Sequence, residues 1–136
     1  MKKHMFKISI LSLLLLATPM VGQAEIGWTI YKPGLVKSAI AKGETVVLGY
    51  LSSWWGTCAR QKSVLKKLRA SYPQYDKSIT FVLIDWDTFG SHAVTTSRKI
   101  PRRSTMVLIK GGTEIGRLVA QTSEKKIKAL LDTGLK

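Results

Sequence analysis

Cysteine is almost absent from this 136-residue chain, in which Cys58 is the only one. A single cysteine cannot pair within its own chain, so a fold held together by internal disulfides is excluded. Two alternatives remain for Cys58: a buried, inert thiol, or a group that reacts with another molecule. His92 has no cysteine cluster to join, so the sequence predicts neither a metal site nor a cofactor.

Acidic residues are also few, with 8 Asp and Glu against 22 Lys and Arg, for a formal net charge of +14. This excess favours encounters with acidic partners and with anionic membrane surfaces. Nucleic acid is not expected as a partner, because no recognisable binding motif accompanies the charge. Internal repeats, low-complexity tracts and linkers are missing too, which predicts one compact domain.

The N-terminus has the pattern of an export signal. The basic stretch MKKHMFK precedes the apolar run ISILSLLLLA, and VGQA ends in small residues, which predicts a signal peptide over residues 1–24 with cleavage after Ala24. The apolar run is shorter than the roughly 20 residues that cross a bilayer, so a retained membrane anchor is the less favoured alternative. Residues 25–136 would then form a periplasmic or secreted domain, keeping 19 basic residues against 8 acidic ones, a net charge of about +11.

Hydrophobic periodicity predicts alternating helices and strands in the remaining chain. The predicted order is helix, strand, helix, strand, helix, strand, strand, helix. Strands that alternate with helices pair in parallel, and the Gly111-Gly112 dipeptide predicts a hairpin that adds an antiparallel edge. The expected fold is therefore α/β, a central mixed β-sheet with helices on both faces. The predicted segments are helix 33–42, strand 45–51, helix 58–72, strand 79–85, helix 92–99, strands 105–110 and 113–119, and a closing helix capped by Ser123.

The segment VVLGYLSSWWGTC, residues 46–58, resembles the active-site region of the thioredoxin family. In that family an apolar strand leads into Trp-Cys-x-x-Cys at the start of a helix. Trp54 matches the family tryptophan, Gly56 and Thr57 the two intervening residues, and Cys58 the second cysteine. The resemblance continues through ITFVLIDWD, TMVLIKGGTEIGR and TSEKKIKALLDTGL, and it implies a three-layer thioredoxin-like fold over residues 25–136.

Three positions depart from what the resemblance implies for the chemistry. Trp55 stands where the nucleophilic first cysteine is expected, so this chain alone cannot run the ordinary two-thiol cycle. Gly49 stands at the position of the family's buried acid and cannot transfer a proton. Ser104 stands at the position of the cis-proline; a cis bond before serine costs roughly 3 kcal/mol, so a trans peptide and a reshaped loop are expected.

These residues predict a binding face rather than a complete redox site. Trp54 is expected to pack against the sheet, leaving Trp55 as the contact residue, while Cys58 is the one catalytic candidate. Asp85 and Asp87 are interpreted as a capping turn rather than an acid–base pair. The predicted face consists of Trp54, Trp55, Gly56, Thr57, Arg102, Arg103, Ser104 and Thr105.

Three functions remain open from the sequence. The first is an exported thioredoxin-like protein that binds a protein or peptide partner through the former active-site face. The second is a monothiol redox protein that uses Cys58 for mixed-disulfide exchange. The third is a basic protein that binds anionic envelope surfaces. The partner is expected to be acidic or to carry a thiol.

Overall fold

The sheet of this protein is built from three parallel strands and an antiparallel hairpin. The computed structural model describes residues 27–136; the predicted signal peptide and its cleavage site lie outside the described residues. Within this part of the chain the strand order is β1-β3-β2-β4-β5, with β1, β3 and β2 parallel and β4 antiparallel to both β2 and β5. The strands are β1 (Thr29–Ile30), β2 (Val46–Leu51), β3 (Thr80–Asp85), β4 (Thr105–Lys110) and β5 (Thr113–Val119).

Helices cover both faces of the sheet, as predicted. They are α1 (Leu35–Ala41), α2 (Gly56–Ser71), α3 (Gln74–Ser78), α4 (Trp86–Phe89), α5 (Ala93–Thr96) and α6 (Glu124–Gly134). Successive side chains of a strand point to opposite faces, so alternate residues of β2 enter different cores. Val47 packs in the cluster that contains Leu65 of α2 and Ile127 of α6. Val46 and Leu48 pack in the cluster with residues of α1. No helix within residues 27–136 is both long and apolar enough to cross a bilayer.

The turn and cap predictions are confirmed. Gly111 and Gly112 have φ angles of 58° and 75°, so both adopt the left-handed conformation that the tight β4–β5 turn requires. The Ser123 side chain caps α6 by accepting a hydrogen bond from the backbone N–H of Lys126. Asp85 likewise caps α4 and accepts from the N–H of Asp87, as a capping turn predicts.

Several predicted boundaries were wrong by a few residues. Helix α1 begins at Leu35 rather than Pro33, because Gly34 has a φ of 90°. Tyr72 was expected on the buried face of α2, but it leaves the helical conformation, ends the helix and is 36% exposed. Helix α5 covers only Ala93–Thr96 of the predicted 92–99, and Lys99 adopts a φ of 53°. The short elements β1, α3 and α4 were not predicted, since segments of two to five residues carry no readable periodicity.

Candidate functional site

Cys58 lies in the first turn of α2 and is completely buried. Its helix face is fixed by the apolar spacing that places Gln61, Leu65 and Leu68 on the same inward side. The Cys58 Sγ accepts a hydrogen bond from the backbone N–H of Ser52 at 3.4 Å and lies 2.8 Å from the Ser104 Oγ. A reagent can reach this thiol only if the surrounding segment opens.

Ser104 forms hydrogen bonds that connect the loop before β4 to neighbouring segments. Its backbone N–H donates to the Tyr50 carbonyl at 2.7 Å, and its own carbonyl accepts from the Ala120 N–H at 2.8 Å. The buried Gln61 Nε2 donates to the carbonyls of Ser104, at 2.8 Å, and Gln121, at 2.9 Å. The Gln61 amide therefore joins α2, the Ser104 loop and the segment after β5 beside the thiol.

Tyr50 supports the same region from the opposite face of the sheet. Its hydroxyl donates to the Val94 carbonyl at 2.6 Å. Burial raises the pKa of Tyr50 well above its ordinary value, and the positive charges of Arg98 and Arg117 lower it only in part. Tyr50 therefore connects the Val94 carbonyl, through its hydroxyl, with the Ser104 N–H, through its own carbonyl.

Two tryptophans and an arginine form the exposed surface over this region. The rings of Trp54 and Trp55 meet edge to face with centroids 5.3 Å apart. The Arg103 guanidinium lies 4.6 Å from the Trp54 centroid and 4.7 Å from the Trp55 centroid. Attraction between a cation and aromatic rings stabilises this cluster, which fixes a positive charge at the surface.

The expectation that Trp54 packs against the sheet was wrong. Trp54 is 62% exposed, whereas Trp55 is half-buried. The physical reason is Asp87, whose Oδ2 accepts from the Trp54 Nε1 at 2.7 Å and so holds the ring at the surface. The Asp87 Oδ1 also accepts from the Ser52 hydroxyl at 3.2 Å, which connects the β3–α4 turn to the loop before Cys58.

A small cavity of about 240 Å³ adjoins the aromatic cluster. Within residues 27–136 no carboxylate forms an ion pair with Arg102 or Arg103, and the buried Trp55 Nε1 has no hydrogen-bond partner. The cavity therefore combines apolar walls with uncompensated positive charge. Its walls are formed by Trp55, Trp86, Pro101, Arg102 and Arg103.

The comparisons with known proteins agree with this geometry. Residues 32–133 match the family model described as Thioredoxin. The chain belongs to the thioredoxin family. Thioredoxin-1 of Saccharomyces cerevisiae is 30% identical over 82 residues, which cover 60% of this chain and 74% of the yeast protein. The thioredoxin fold with one cysteine fits a thiol-disulfide oxidoreductase-like protein.

Solved structures show the same fold at lower identity. Trxlp from Edwardsiella tarda EIB202 is similar with a TM-score of 0.66 at 23% identity, over 76% of this chain and 98% of that one. The thioredoxin of Malassezia sympodialis is similar with a TM-score of 0.68 at 19% identity, over 82% of this chain and 96% of that one.

In this thioredoxin-family chain a side chain at position 49, which the resemblance aligns with the family's buried acid, would meet another side chain. A Cβ atom on Gly49 would lie 3.0 Å from the Cη2 and 3.1 Å from the Cζ3 of Trp28. The Trp28 ring therefore occupies the space into which a side chain at position 49 would point. Glycine in the middle of a strand often marks such a close approach, so Gly49 signalled a close neighbour in the sequence but did not identify Trp28.

The structure also describes Ser104, which the resemblance aligns with the family proline. As expected, no cis peptide occurs within the described residues, so the bond before Ser104 is trans. Ser104 has a φ of 61°, and its N–H is hydrogen-bonded. Proline can satisfy neither condition, because its ring fixes φ near −65° and removes the N–H. A serine whose hydroxyl contacts the thiol thus occupies this loop position, where proline would not fit.

The structure brings most of the predicted site residues together. Cys58, Ser104, Trp54, Trp55 and Arg103 form one continuous region, with Gly56 and Thr57 in the first turn of α2. Arg102 faces the small cavity, whereas the Thr105 side chain is buried and donates to the Arg102 carbonyl. Sequence reasoning missed the contributions of Gln61, Asp87 and Trp28. Among residues 27–136 no group of three His, Cys, Asp or Glu side chains is arranged to hold a metal ion.

Proposed function

We propose that this protein is an exported thioredoxin-family member that binds a protein or peptide partner through the face formed by Trp54, Trp55, Arg102 and Arg103. The observation that carries the proposal is the contrast between the two halves of the site. The only thiol is fully buried, while Trp54 is 62% exposed with the Arg103 guanidinium against its ring.

The chemistry of this face indicates the kind of partner. Exposed tryptophan and arginine are the side chains that contribute most to binding energy at protein interfaces. The charges of Arg102 and Arg103 have no carboxylate partner within the described residues, so an acidic group on the partner would pair with them. We infer an acidic peptide segment that places an apolar side chain beside Trp55.

Selection of displayed peptides on the wild-type protein, followed by calorimetry, tests the proposal. The selected peptides are expected to be acidic and to lose at least about tenfold in affinity on Trp54→Ala or Arg103→Ala. Tyr72→Ala is the matched control, because Tyr72 is exposed on another part of the surface. Peptides that bind all three variants equally would refute the proposed face.

The second candidate function is monothiol exchange at Cys58. The observation that favours it is that two polar groups, the Ser52 N–H and the Ser104 hydroxyl, contact the Cys58 Sγ. The Cys58 thiolate would attack a partner disulfide, forming a mixed disulfide and releasing the partner's other sulfur as a thiolate. An external thiolate would then attack the partner's sulfur in the mixed disulfide, forming a new disulfide with the partner and releasing Cys58 as a thiolate that takes up a proton.

The two candidates predict opposite mutational patterns. Binding requires Trp54 and Arg103 and tolerates Cys58→Ser, whereas monothiol exchange is lost in Cys58→Ser. Mass spectrometry after incubation with oxidised glutathione measures mixed-disulfide formation at Cys58 directly. A stoichiometric adduct on the native protein would favour exchange over binding.

A further inference from the structure

The positive charge of the helices is concentrated on one side of the sheet. Helices α2, α3 and α6 pack on the core that contains Leu65, Tyr75 and Ile127, and together they carry nine basic and three acidic residues. Helices α1, α4 and α5 pack on the opposite core and carry only Lys37 and Asp87. The helices on the first side therefore have an excess of six positive charges, whereas those on the second side have none.

The acidic residues on the basic side are already engaged. Their carboxylates form ion pairs with basic residues of the same helices, in the pairs Asp76 with Arg69, Glu124 with Lys67, and Asp132 with Lys128. Four exposed cations have no ion-pair partner among residues 27–136, namely Arg60, Lys66, Lys125 and Lys126. The Lys126 Nζ donates to the Gln121 side-chain oxygen at 3.2 Å, but this amide is neutral and leaves the charge uncompensated.

These cations lie on one surface because α2 and α6 are neighbours. The ion pair between Lys67 and Glu124 joins the second half of α2 to the first turn of α6, with 2.9 Å between Nζ and Oε2. The Lys128 Nζ lies 4.8 Å from the ring of Tyr72, the residue that ends α2. The surface formed in this way is the basic face, and it consists of Arg60, Lys66, Lys67, Lys125, Lys126 and Lys128.

The side chains between these cations are small. Ala59 and Ser63 of α2 and Ala129 of α6 are exposed. None of the large apolar side chains that are exposed among residues 27–136 belongs to α2 or α6. Protein interfaces depend on such large anchors, which this face does not offer. Long basic side chains that project beyond small neighbours can instead meet many charges of an extended anionic surface together.

We propose that the basic face binds the surface of an anionic membrane, with its ammonium groups against the phosphates of lipids such as phosphatidylglycerol. Clusters of about four to eight Lys and Arg residues have the size that recognises anionic lipid. The contact is electrostatic and uses no chemistry at Cys58. The basic face shares no residue with the face formed by Trp54, Trp55, Arg102 and Arg103, and it does not depend on peptide binding there.

Lysine acetylation in the full chain, followed by mass spectrometry, locates the contact with the membrane. Phosphatidylglycerol vesicles are expected to slow acetylation on the basic face, at Lys66, Lys125 and Lys126. Acetylation should keep its free rate at the matched exposed lysines in and beside α1, which are Lys32, Lys37 and Lys42. Phosphatidylcholine vesicles carry no net charge and should protect neither set. Equal protection of both sets by phosphatidylglycerol, or protection of neither, would overturn the proposal.

Two triple variants of equal net charge test the strength of the contact by vesicle flotation. One replaces the basic-face set by glutamine (Lys66→Gln, Lys125→Gln, Lys126→Gln), and the other replaces the control set (Lys32→Gln, Lys37→Gln, Lys42→Gln). Each basic residue near an anionic membrane strengthens binding about fivefold, so the first variant should lose about 100-fold in affinity for phosphatidylglycerol vesicles and the second much less. Both variants keep residues 1–26, so the N-terminal segment does not cause a difference between them. Equal affinities would contradict the proposal.

Salt and DNA complete the test. The affinity difference between the two triple variants should disappear between about 0.1 M and about 1 M salt, because the Debye length falls from about 10 Å to about 3 Å. A difference that persists would exclude an electrostatic contact. A short DNA duplex supplies phosphates without a membrane. If the duplex protects the basic-face lysines and the vesicles do not, the face binds nucleic acid and the membrane proposal is wrong.

Discussion

The Cys58 Sγ and the Ser104 Oγ lie 2.8 Å apart in the interior of the protein. The resemblance to thioredoxins aligns Cys58 with the family's second cysteine and Ser104 with the family proline. Their contact joins the start of α2 to the loop before β4, 46 residues later in the chain. The single thiol is thus integrated into a buried polar network rather than presented to solvent.

Alkylation of Cys58 should be slow in the folded protein. The side chain is completely buried, so the reagent has access only through local or global unfolding. Alkylation by iodoacetamide is expected to be at least about 100-fold slower in buffer than in denaturant, because the reaction is limited by the population of open molecules. An equal rate in both conditions would show an accessible thiol and would favour the monothiol function.

Gly49→Ala should destabilise the fold because the new methyl group meets the Trp28 ring. Overpacking of this kind costs about 1–3 kcal/mol, measured as the free energy of unfolding in urea. Gly56→Ala is the matched control, since a Cβ there meets no atom within 4 Å. In the Trp28→Leu background the cost of Gly49→Ala should fall; an unchanged cost would mean that Trp28 is not the obstacle.

Trp55→Cys should convert the protein into a measurable disulfide reductase. The substitution recreates Cys-x-x-Cys at the start of α2, while Gly49 still supplies no proton-transfer group. We expect insulin reduction by the variant at a rate above the wild type and below that of a two-cysteine thioredoxin. Wild-type turnover equal to that of the variant would contradict the view that position 55 prevents the reaction.

Asp87→Ala should release Trp54 from its present position, because the carboxylate accepts from the indole Nε1. With 5-fluorotryptophan incorporated, the ¹⁹F resonance assigned to Trp54 through Trp54→Phe is expected to shift. Glu44→Ala, which removes a carboxylate elsewhere, should leave that resonance in place. If both variants give the wild-type spectrum, the hydrogen bond does not hold the ring.

Asp132 should make stability depend on pH at the acidic end. Hydrogen bonds from Lys128 and then from Tyr75 lower the pKa of Asp132 below its ordinary 3.8. A carboxyl group whose pKa is lower in the folded state contributes stability above its unfolded pKa and loses it as the pH falls through the folded pKa. Asp132→Asn should therefore lower the urea midpoint at pH 6 and have little effect near pH 2.

Tyr75, which donates a hydrogen bond to Asp132, should make stability depend on pH at the alkaline end. Burial, and next the hydrogen bond to Asp132, raise the pKa of Tyr75 to about 12. A group with a raised pKa stabilises the fold below its unfolded pKa of about 10, and the contribution disappears as the pH rises through 12. Tyr75→Phe should reduce the alkaline loss of stability, measured by urea unfolding between pH 9 and pH 12.

The sequence by itself determined the order of the main elements and the inward face of α2. Periodicities of two and of 3.6 residues reflect local backbone geometry, so they are readable without knowledge of the fold. Gly111 and Gly112 marked their hairpin for the same local reason. The resemblance to thioredoxins over WWGTC then placed Cys58, Trp55, Gly49 and Ser104 in their family positions.

Only the tertiary structure determined which of these residues are exposed and which side chains they contact. Trp54 is exposed because Asp87, 33 residues away in the chain, accepts its indole hydrogen. The space beside Gly49 is closed by Trp28, and the Cys58 thiol meets Ser104. Each of these contacts joins residues that are distant in sequence, and side-chain packing between separate elements leaves no periodic signal in the chain.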